Sequence, residues 1–330
     1  MLCNAGVDRV DVTGETVNAG ESALKMVERV RSRPWGIAVA ALVGDEVEFA
    51  FDPGVDDVDD NSLFQIGSVT KTMTGVLFAD AVERAEVSPE TTVGHLLEFE
   101  GGAAEVTLES LATQHSGLPR LPPNLDVATV DRSDPYAAYE LADLMSALRT
   151  IDVGPQKYEY SNFGFMTLGA CLAAATRTPM HELLAVRLFS PLRMASAGCP
   201  PKEANRLPGY SGAEETPWWT TNLPGAGGVG ASIRDMALYL KAHISPPAGP
   251  LGAAIAAAAT VQAADGVAMG YGWVHQGGGW WHNGATGGFK SFVAFHQPTA
   301  TAVALLANGD AADSLDAVGF RTLTEMISSL

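Results

Sequence analysis

The sequence predicts an α+β fold, in which an antiparallel sheet flanked by helices is built from both ends of the chain and a helical subdomain is inserted between them. Three observations lead to this prediction. Strand-like apolar runs occur near both ends of the 330 residues, alanine and leucine recur at helical spacing in the middle, and 47% of the residues are hydrophobic. We predict one domain over 1–330, with an α/β subdomain from about 20–71 and 265–330 and a helical subdomain over about 72–264.

The N-terminal part of the α/β subdomain contains a helix and a hairpin. Residues 21–31 carry apolar side chains at helical spacing, and Pro34 prevents the helix from continuing. An apolar run at 36–43, a Gly-Asp turn and an alternating segment at 46–51 follow. This order is typical of a β-hairpin with one buried face.

The C-terminal part supplies the rest of the predicted sheet. Apolar runs at 291–295 and 301–307 flank a proline-containing turn, and residues 314–330 return to helical spacing. The long region between the two ends is mostly helical in pattern and is broken by segments rich in proline and glycine. Because sites often lie in the cleft between two subdomains, we expect the site there.

Charge and cysteine content restrict the possible partners. Acidic residues outnumber basic residues by 38 to 20, and the net charge of −18 argues against binding to nucleic acid or to an anionic membrane. Cys3, Cys171 and Cys199 show no C-x-x-C spacing, so neither a disulfide framework nor a zinc site is indicated. The first residues contain no basic segment followed by an apolar one, so we expect a cytoplasmic protein, or a secreted one if a leader has been removed. The sequence makes no prediction of oligomeric state.

Ser68 is the main candidate nucleophile. Ser68 and Lys71 form an S-x-x-K spacing at the start of an apparent helix, where residues three apart share a face. A serine hydroxyl is a poor nucleophile at neutral pH, and a partly deprotonated amine beside it can activate it. The spacing alone is not specific, because Ser22 and Lys25 repeat it on the solvent face of the N-terminal helix. Considered in isolation, Ser68 could equally be a helix N-cap.

Two further segments accompany Ser68 in the chain. Tyr160 and Asn162 form a Y-x-N, in which the tyrosine could act as a general base in its phenolate form and the asparagine could hold the lysine and a substrate carbonyl. His282 ends an aromatic strand that turns directly into another strand, so its side chain and a following backbone N–H can point into a cleft. His115 and His275 also match H-x-G without that context. Alternatively, the Y-x-N is a packed turn and the histidine is structural.

In this order, the motifs that begin at Ser68, Tyr160 and His282 resemble the three-motif signature of the serine β-lactamase-like superfamily. Within it, the similarity is to the group of class C β-lactamases, D-alanyl-D-alanine carboxypeptidases and family VIII esterases. The resemblance covers about residues 20–330. Further matching segments are SGLP at 116–119, FSPLRM at 189–194, GGV at 227–229 and IRDM at 233–236.

The resemblance implies a β-lactamase/penicillin-binding-protein transpeptidase-like fold, with the site between the sheet and the helical subdomain. It implies that Ser68 is the acylated nucleophile and that Lys71 tunes its deprotonation. Tyr160 would take the Ser68 proton and pass it to the leaving group. The backbone N–H groups of Ser68 and Ala285 would form the oxyanion hole. No metal and no organic cofactor is implied.

The third motif departs from the pattern of the lactamases. By resemblance, Asn162 would position the lysine and the substrate, and His282 would occupy the place often held by a lysine. Members that bind a penicillin or a D-alanine carboxylate usually have a threonine next, and often a hydroxyl residue after the glycine, where this chain has Asn283 and Ala285. An amide and a methyl group are poor substitutes for two hydroxyl donors. The departure favours an esterase, since esterase-like members commonly show such a segment.

The pocket walls are expected to come from residues around the third motif and from aromatic residues of the variable stretches. For the aromatic residues, a place in the core is the alternative. The candidates are Asn283, Gly284, Trp218, Trp219, Tyr271 and Trp273.

The resemblance as a whole implies a serine hydrolase that forms an acyl-enzyme. We expect an esterase or amidase that acts on a small-molecule ester or amide, including a secondary-metabolite-like one. Three alternatives stay open: a biosynthetic transacylase that uses an amine or alcohol acceptor, a D-Ala-D-Ala carboxypeptidase, D-aminopeptidase or β-lactamase, and a catalytically silent binding module.

Overall fold

The structure is a computed structural model that describes residues 19–30, 35–126, 128–310 and 315–330. Cys3 and the N-terminal segment on which the expectation about a leader depends lie outside the described residues. The strands are β1 (Ile37–Val43), β2 (Glu46–Asp52), β3 (Phe64–Gln65), β4 (Gly209–Ser211), β5 (Glu214–Thr216), β6 (Gly230–Ala231), β7 (Val274–Gln276), β8 (Gly279–Ala285), β9 (Lys290–His296) and β10 (Thr301–Ala307).

The helices are distributed over the described part of the chain. They are α1 (Ala19–Arg29), α2 (Thr70–Glu83), α3 (Val93–Leu97), α4 (Leu108–Ala112), α5 (Leu141–Thr150), α6 (Asn162–Thr176), α7 (Met180–Leu183), α8 (Ile233–Ile244), α9 (Pro250–Ala258) and α10 (Leu315–Ser328). None of these helices, over the described ranges, is long and apolar enough to span a membrane.

In the described part of the chain, six strands form one antiparallel sheet in the order β2-β1-β10-β9-β8-β7. The N-terminal hairpin and the C-terminal strands are therefore neighbours, and Ile37 of β1 lies opposite Ala307 of β10. This arrangement confirms the predicted fold class, in which both chain ends contribute to one antiparallel sheet. The predicted first hairpin is β1 and β2, and the predicted last strands are β9 and β10.

Helices cover both faces of this sheet. Side chains alternate between the faces of a strand, so Val39 and Ala41 of β1 join the cluster formed with α1 and α10. Ala38 and Ala40 belong to the larger cluster, which extends into the helical region. Because β1 is buried on both faces, its sequence is a continuous apolar run rather than an alternating one.

The inserted region is mostly helical, but it also holds short strands. β4 pairs with β5, and β6 pairs with β3 from the N-terminal part of the chain. Helix α2 is buried on all sides from Thr70 to Ala81 and packs against α6 and α9. The N-terminal end of α2 consequently lies at the junction of the sheet and the helical region.

Candidate active site

Ser68 lies in a single 3₁₀ turn, Gly67–Val69, between β3 and α2. Gly67 has φ of +50°, and a β-carbon at this position would lie 2.7 Å from the backbone nitrogen of Ala285. Only glycine tolerates both conditions, so it allows the turn to press against the end of β8. The Ser291 hydroxyl, on β9, donates to the carbonyl oxygen of Ile66 at 2.8 Å and fixes the same turn to the sheet. Ser68 is half-buried and faces the cleft.

Lys71 lies one turn further along the helix and is fully buried. Its Nζ is 3.0 Å from Ser68 Oγ and donates to the carbonyl oxygen of Ala226 at 2.8 Å. Burial lowers the pKa of Lys71 well below 10.5, and the positive charge of Arg120 lowers it further. A lysine with a lowered pKa can exist as a neutral amine, which can accept the proton of the Ser68 hydroxyl.

Tyr160 is the second titratable group beside the nucleophile. Its ring centroid lies 4.9 Å from Lys71 Nζ, and its hydroxyl is close enough to Ser68 for the serine side chain to influence its pKa. Burial raises the pKa of Tyr160 to about 12, although the Ser68 side chain and the Arg120 charge act to lower it. The phenol is therefore the main form at neutral pH, in contrast to the phenolate considered from the sequence. Lys71 and Tyr160 have their pKa values shifted in opposite directions, which is typical of a base and an acid that share one site.

Asn162 is the first residue of α6 and lines the cleft together with Ser68. The expected hydrogen bond between Asn162 and Lys71 is not formed between these two described residues. Instead, Asn162 Nδ2 donates to the hydroxyl of Tyr136 at 3.2 Å, and the Lys71 amine is satisfied by the Ala226 carbonyl. Asn162 Oδ1 is buried and has no hydrogen-bond partner in the described part of the protein.

His282 is buried in β8 behind the cleft wall rather than in the cleft lining. Its Nδ1 lies 2.6 Å from the carbonyl oxygen of Asn283, and since a carbonyl only accepts, Nδ1 carries the proton. Burial, with a contribution from the Lys71 charge, lowers the pKa of His282 to about 3. The ring centroid lies 6.2 Å from that of Tyr160. His282 is therefore neutral and packs near the tyrosine, which corrects the expectation that it points into the cleft.

The cleft above Ser68 has two lobes. We call the wider one, with a volume of about 630 Å³, the charged lobe, and the other, of about 70 Å³, the narrow lobe. Residues that line only the charged lobe include Arg120, Leu121, Tyr160, Asn283, Gly284, Lys290 and Asp316. Residues that line only the narrow lobe include Gln65, Gly67, Met166, Thr220, Thr221, Leu223, Ala226, Gly227 and Gly228. Residues shared by both lobes are Ser68, Tyr136, Asn162, Trp219, Ala285 and Thr286.

The structure separates the six pocket candidates into two groups. Trp219, Asn283 and Gly284 line the cleft. Trp218 does not: its indole donates to the Leu207 carbonyl oxygen, and its ring packs against Phe289. Tyr271 and Trp273 lie in the core. The Tyr271 ring contacts Phe78, and the Trp273 ring contacts Tyr239 and Phe295. The expectation that Trp218, Tyr271 and Trp273 line the pocket is wrong, because their rings pack against other residues of the protein.

Several residues of the cleft were not predicted. Arg120 immediately follows the SGLP segment, and this adjacency could have indicated it. Tyr136, Lys290 and Asp316 come from three separate parts of the chain, so only the fold brings them together. Ala285 lines both lobes beside Ser68, as an oxyanion hole would require, and this role of the two N–H groups stays a prediction. Among the described residues, no group of three or more His, Cys, Asp or Glu side chains could hold a metal ion.

The chain is similar in sequence to proteins of a known family. The model of the Beta-lactamase family matches residues 27–324, which is most of the chain. Penicillin-binding protein 4 of Amycolatopsis lactamdurans is 28% identical over 307 residues, which cover 81% of this chain and 77% of that protein. The fimbrial assembly protein FimD, serogroup D, of Dichelobacter nodosus is 30% identical over 120 residues, or 35% of this chain. The chain spans only 30% of the length of that relative.

The same fold occurs among solved structures. A β-lactamase/D-alanine carboxypeptidase from Pseudomonas syringae superimposes with a TM-score of 0.80 at 18% sequence identity. The superposition covers 92% of this chain and 98% of that one. At this level of identity the similarity concerns the fold alone.

Proposed function

The chain belongs to the beta-lactamase family of serine hydrolases, and on that premise we propose that it is an esterase or amidase that forms an acyl-enzyme on Ser68 with a small-molecule substrate. One observation carries the proposal. The Ser68 hydroxyl lies 3.0 Å from the amine of a fully buried lysine, and the centroid of the Tyr160 ring lies 4.9 Å from the same amine. A nucleophile beside both a base of lowered pKa and an acid of raised pKa supports acyl transfer.

In the first step, Ser68 Oγ attacks the carbonyl carbon of the substrate and its proton passes to Nζ of Lys71. The lowered pKa of Lys71 makes the neutral amine available for this transfer. The carbonyl oxygen becomes an oxyanion, which the backbone N–H groups of Ser68 and Ala285 stabilise. The product of this step is a tetrahedral intermediate that is covalently bound to Ser68.

In the second step, the intermediate collapses and the bond to the leaving group breaks. The Tyr160 phenol donates its proton to the departing oxygen or nitrogen and is reprotonated from the Lys71 ammonium beside it. A water molecule then attacks the acyl-enzyme, and the same two groups take its proton and return one to Ser68 Oγ. The acid is released, and the protons on all three side chains are restored.

The third motif supports an ester or simple amide over a penicillin or a D-alanine peptide. The Asn283 side chain is already engaged, because its amide donates to Asp316 Oδ2 at 2.6 Å. Ala285, beside it, offers only a methyl group. This edge of the cleft therefore lacks the pair of free hydroxyl donors that would bind a carboxylate beside the scissile bond.

Turnover of two substrate classes tests the proposal. The wild-type protein is expected to hydrolyse p-nitrophenyl esters of short acids and to leave a chromogenic cephalosporin intact, and Ser68→Ala is expected to lose the esterase activity. Ser22→Ala is the matched control and keeps full activity. Preferential turnover of the cephalosporin would overturn the proposed substrate class. Formation of an amide product from an added amine would establish a transacylase. If no ester is hydrolysed and none acylates the protein, the alternative of a catalytically silent binding module is supported instead.

A further inference from the structure

We propose that Arg120 is a specificity-determining residue, which binds a carboxylate carried on the leaving group of the substrate. The proposal rests on the proposed function of Ser68. It adds that the substrate carries a negative charge and that this charge lies on the leaving group rather than on the acyl group. Arg120 lines the charged lobe together with Ser68 and Tyr160, and its side chain is exposed there. Its guanidinium carbon lies 5.0 Å from the centroid of the Tyr160 ring.

The backbone of Arg120 is fixed although its side chain is not. Its carbonyl oxygen accepts from the N–H groups of Asn162 and Phe163, at 2.9 and 3.3 Å, which ties the residue to the start of α6. Within the described ranges, the guanidinium forms no hydrogen bond and no ion pair. In a chain with 38 acidic and 20 basic residues, an unneutralised cation beside the nucleophile can bind an anion without first breaking an internal pair.

The chemistry of the group favours a carboxylate. A guanidinium is planar, keeps its charge at all relevant pH values and matches the two oxygens of a carboxylate with two parallel N–H donors. The other cation of the charged lobe, Lys290, lies close enough to influence Asp316, whose carboxylate also accepts from Asn283. We therefore assign the binding of the carboxylate to Arg120 rather than to the residues at the end of β8.

The position of Arg120 indicates that the carboxylate lies on the leaving group of the substrate. Tyr160 is the proposed proton donor to the leaving group, and Arg120 lies against the ring of that tyrosine. A leaving group that departs toward the Tyr160 hydroxyl therefore carries its substituents into the charged lobe. The narrow lobe is lined by neutral residues such as Met166 and Leu223 and suits an uncharged acyl group.

Three aryl esters test the proposal. Two share an uncharged acyl group and have 3-hydroxybenzoate or 3-hydroxybenzamide as leaving group, and the third is a phenyl ester of glutarate, with its carboxylate on the acyl side. We expect the wild-type protein to prefer the 3-hydroxybenzoate ester over the benzamide ester by about tenfold or more in kcat/KM. Arg120→Gln is expected to abolish this preference, and Arg120→Lys to retain part of it.

Arg149→Gln is the matched control, because Arg149 is also exposed and lies over an aromatic ring, that of Phe99 at 6.0 Å, but lines neither lobe. It is expected to keep the preference. Equal kcat/KM values for the two matched esters in the wild type would overturn the proposal, as would a preference that survives Arg120→Gln. A preference for the glutarate ester that depends on Arg120 would overturn the side assigned.

A labelling measurement separates failure of this proposal from failure of the proposed function. A fluorophosphonate reports on the reactivity of the nucleophilic serine. We expect 3-hydroxybenzoate to slow the labelling of Ser68 more than 3-hydroxybenzamide does, in wild type and Arg149→Gln but not in Arg120→Gln. Labelling without this difference contradicts only the role of Arg120. A wild-type protein that is neither labelled nor active contradicts the role of Ser68 as well.

Discussion

The chain contains the S-x-x-K spacing twice, in opposite surroundings. Ser22 and Lys25 lie on α1, where the Lys25 amine forms an ion pair with Glu21 at 2.5 Å and the two charged side chains are 46% and 52% exposed. Ser68 and Lys71 lie at the start of α2, where Lys71 is fully buried and bonded to the serine. We infer from this difference that burial and the neighbouring groups, rather than the spacing, would make a serine nucleophilic.

The two lysines differ in the direction of their pKa shift. The hydrogen bond to Glu21 raises the pKa of Lys25 above 10.5, so this lysine stays a cation and cannot take a proton from a serine. Burial lowers the pKa of Lys71, and no carboxylate among the described residues compensates it.

The largest effect is expected from removing the buried amine. Lys71→Met should lower kcat/KM for an ester by about a thousandfold or more, because Ser68 loses the group that accepts its proton. Lys25→Met should leave kcat/KM unchanged. Steady-state kinetics on both variants measure the contrast, and a similar loss in both would show that the surroundings do not distinguish the two spacings.

The next largest effect is expected from removing the hydroxyl of Tyr160, a group of the Ser68 site that has no counterpart at Ser22. Tyr160→Phe should lower kcat/KM by about a hundredfold, because the leaving group then departs without a proton donor. Tyr158→Phe is the matched control, since its ring contacts His115 and lines neither lobe. A Tyr160→Phe variant with wild-type kcat/KM would remove Tyr160 from the mechanism.

A third difference lies in the residue before each serine, which is Gly67 in one case and the helical Glu21 in the other. Gly67→Ala should lower the free energy of unfolding by roughly 2 kcal/mol, because φ is positive and the new β-carbon meets the backbone of Ala285. Gly101→Ala, also at positive φ but in open space, should cost about 1 kcal/mol. Denaturant titration compares the two, and equal costs would show that the contact with Ala285 is not tight.

The smallest effect is that of Lys71→Met on stability. This substitution is expected to increase stability although it decreases activity. Lys71→Met should raise the free energy of unfolding at pH 7 by about 1 kcal/mol. The reason is that the amine binds a proton more strongly in the unfolded chain, where it is exposed, than in the folded protein, where it is buried. Between the lowered pKa and 10.5, unfolding takes up a proton, so the wild type gains stability as the pH rises and the advantage of the variant shrinks. Lys25→Met should change the stability by less than about 1 kcal/mol. Thermal unfolding at pH 7 and pH 10 measures both, and an advantage of Lys71→Met that grows with pH would contradict the lowered pKa.

Much of the fold could be predicted from the sequence because its signals are local. The continuous apolar run of β1 and the alternation in β2 follow from burial on two faces and on one face, respectively. The ordered motifs at Ser68, Tyr160 and His282 likewise identified residues that the fold brings together.

The rest depends on packing that local patterns do not encode. An aromatic ring has the same sequence signature in a core as in a pocket, so Tyr271 and Trp273 were misassigned. The partner of the Lys71 amine is a backbone carbonyl, that of Ala226, and any residue type would supply it. Arg120 owes its place in the cleft to contacts with α6, which lies about 40 residues further along the chain.

The site of acylation tests the central claim most directly. The protein is incubated with a fluorophosphonate or an activated ester, digested, and the mass of each serine-containing peptide is measured. We predict one adduct per chain, on Ser68, with Ser22 unmodified, and loss of the adduct in Ser68→Ala. An adduct on Ser22, or labelling of Ser68→Ala at the wild-type rate, would contradict the claim that the buried pair at the start of α2 is the nucleophilic centre.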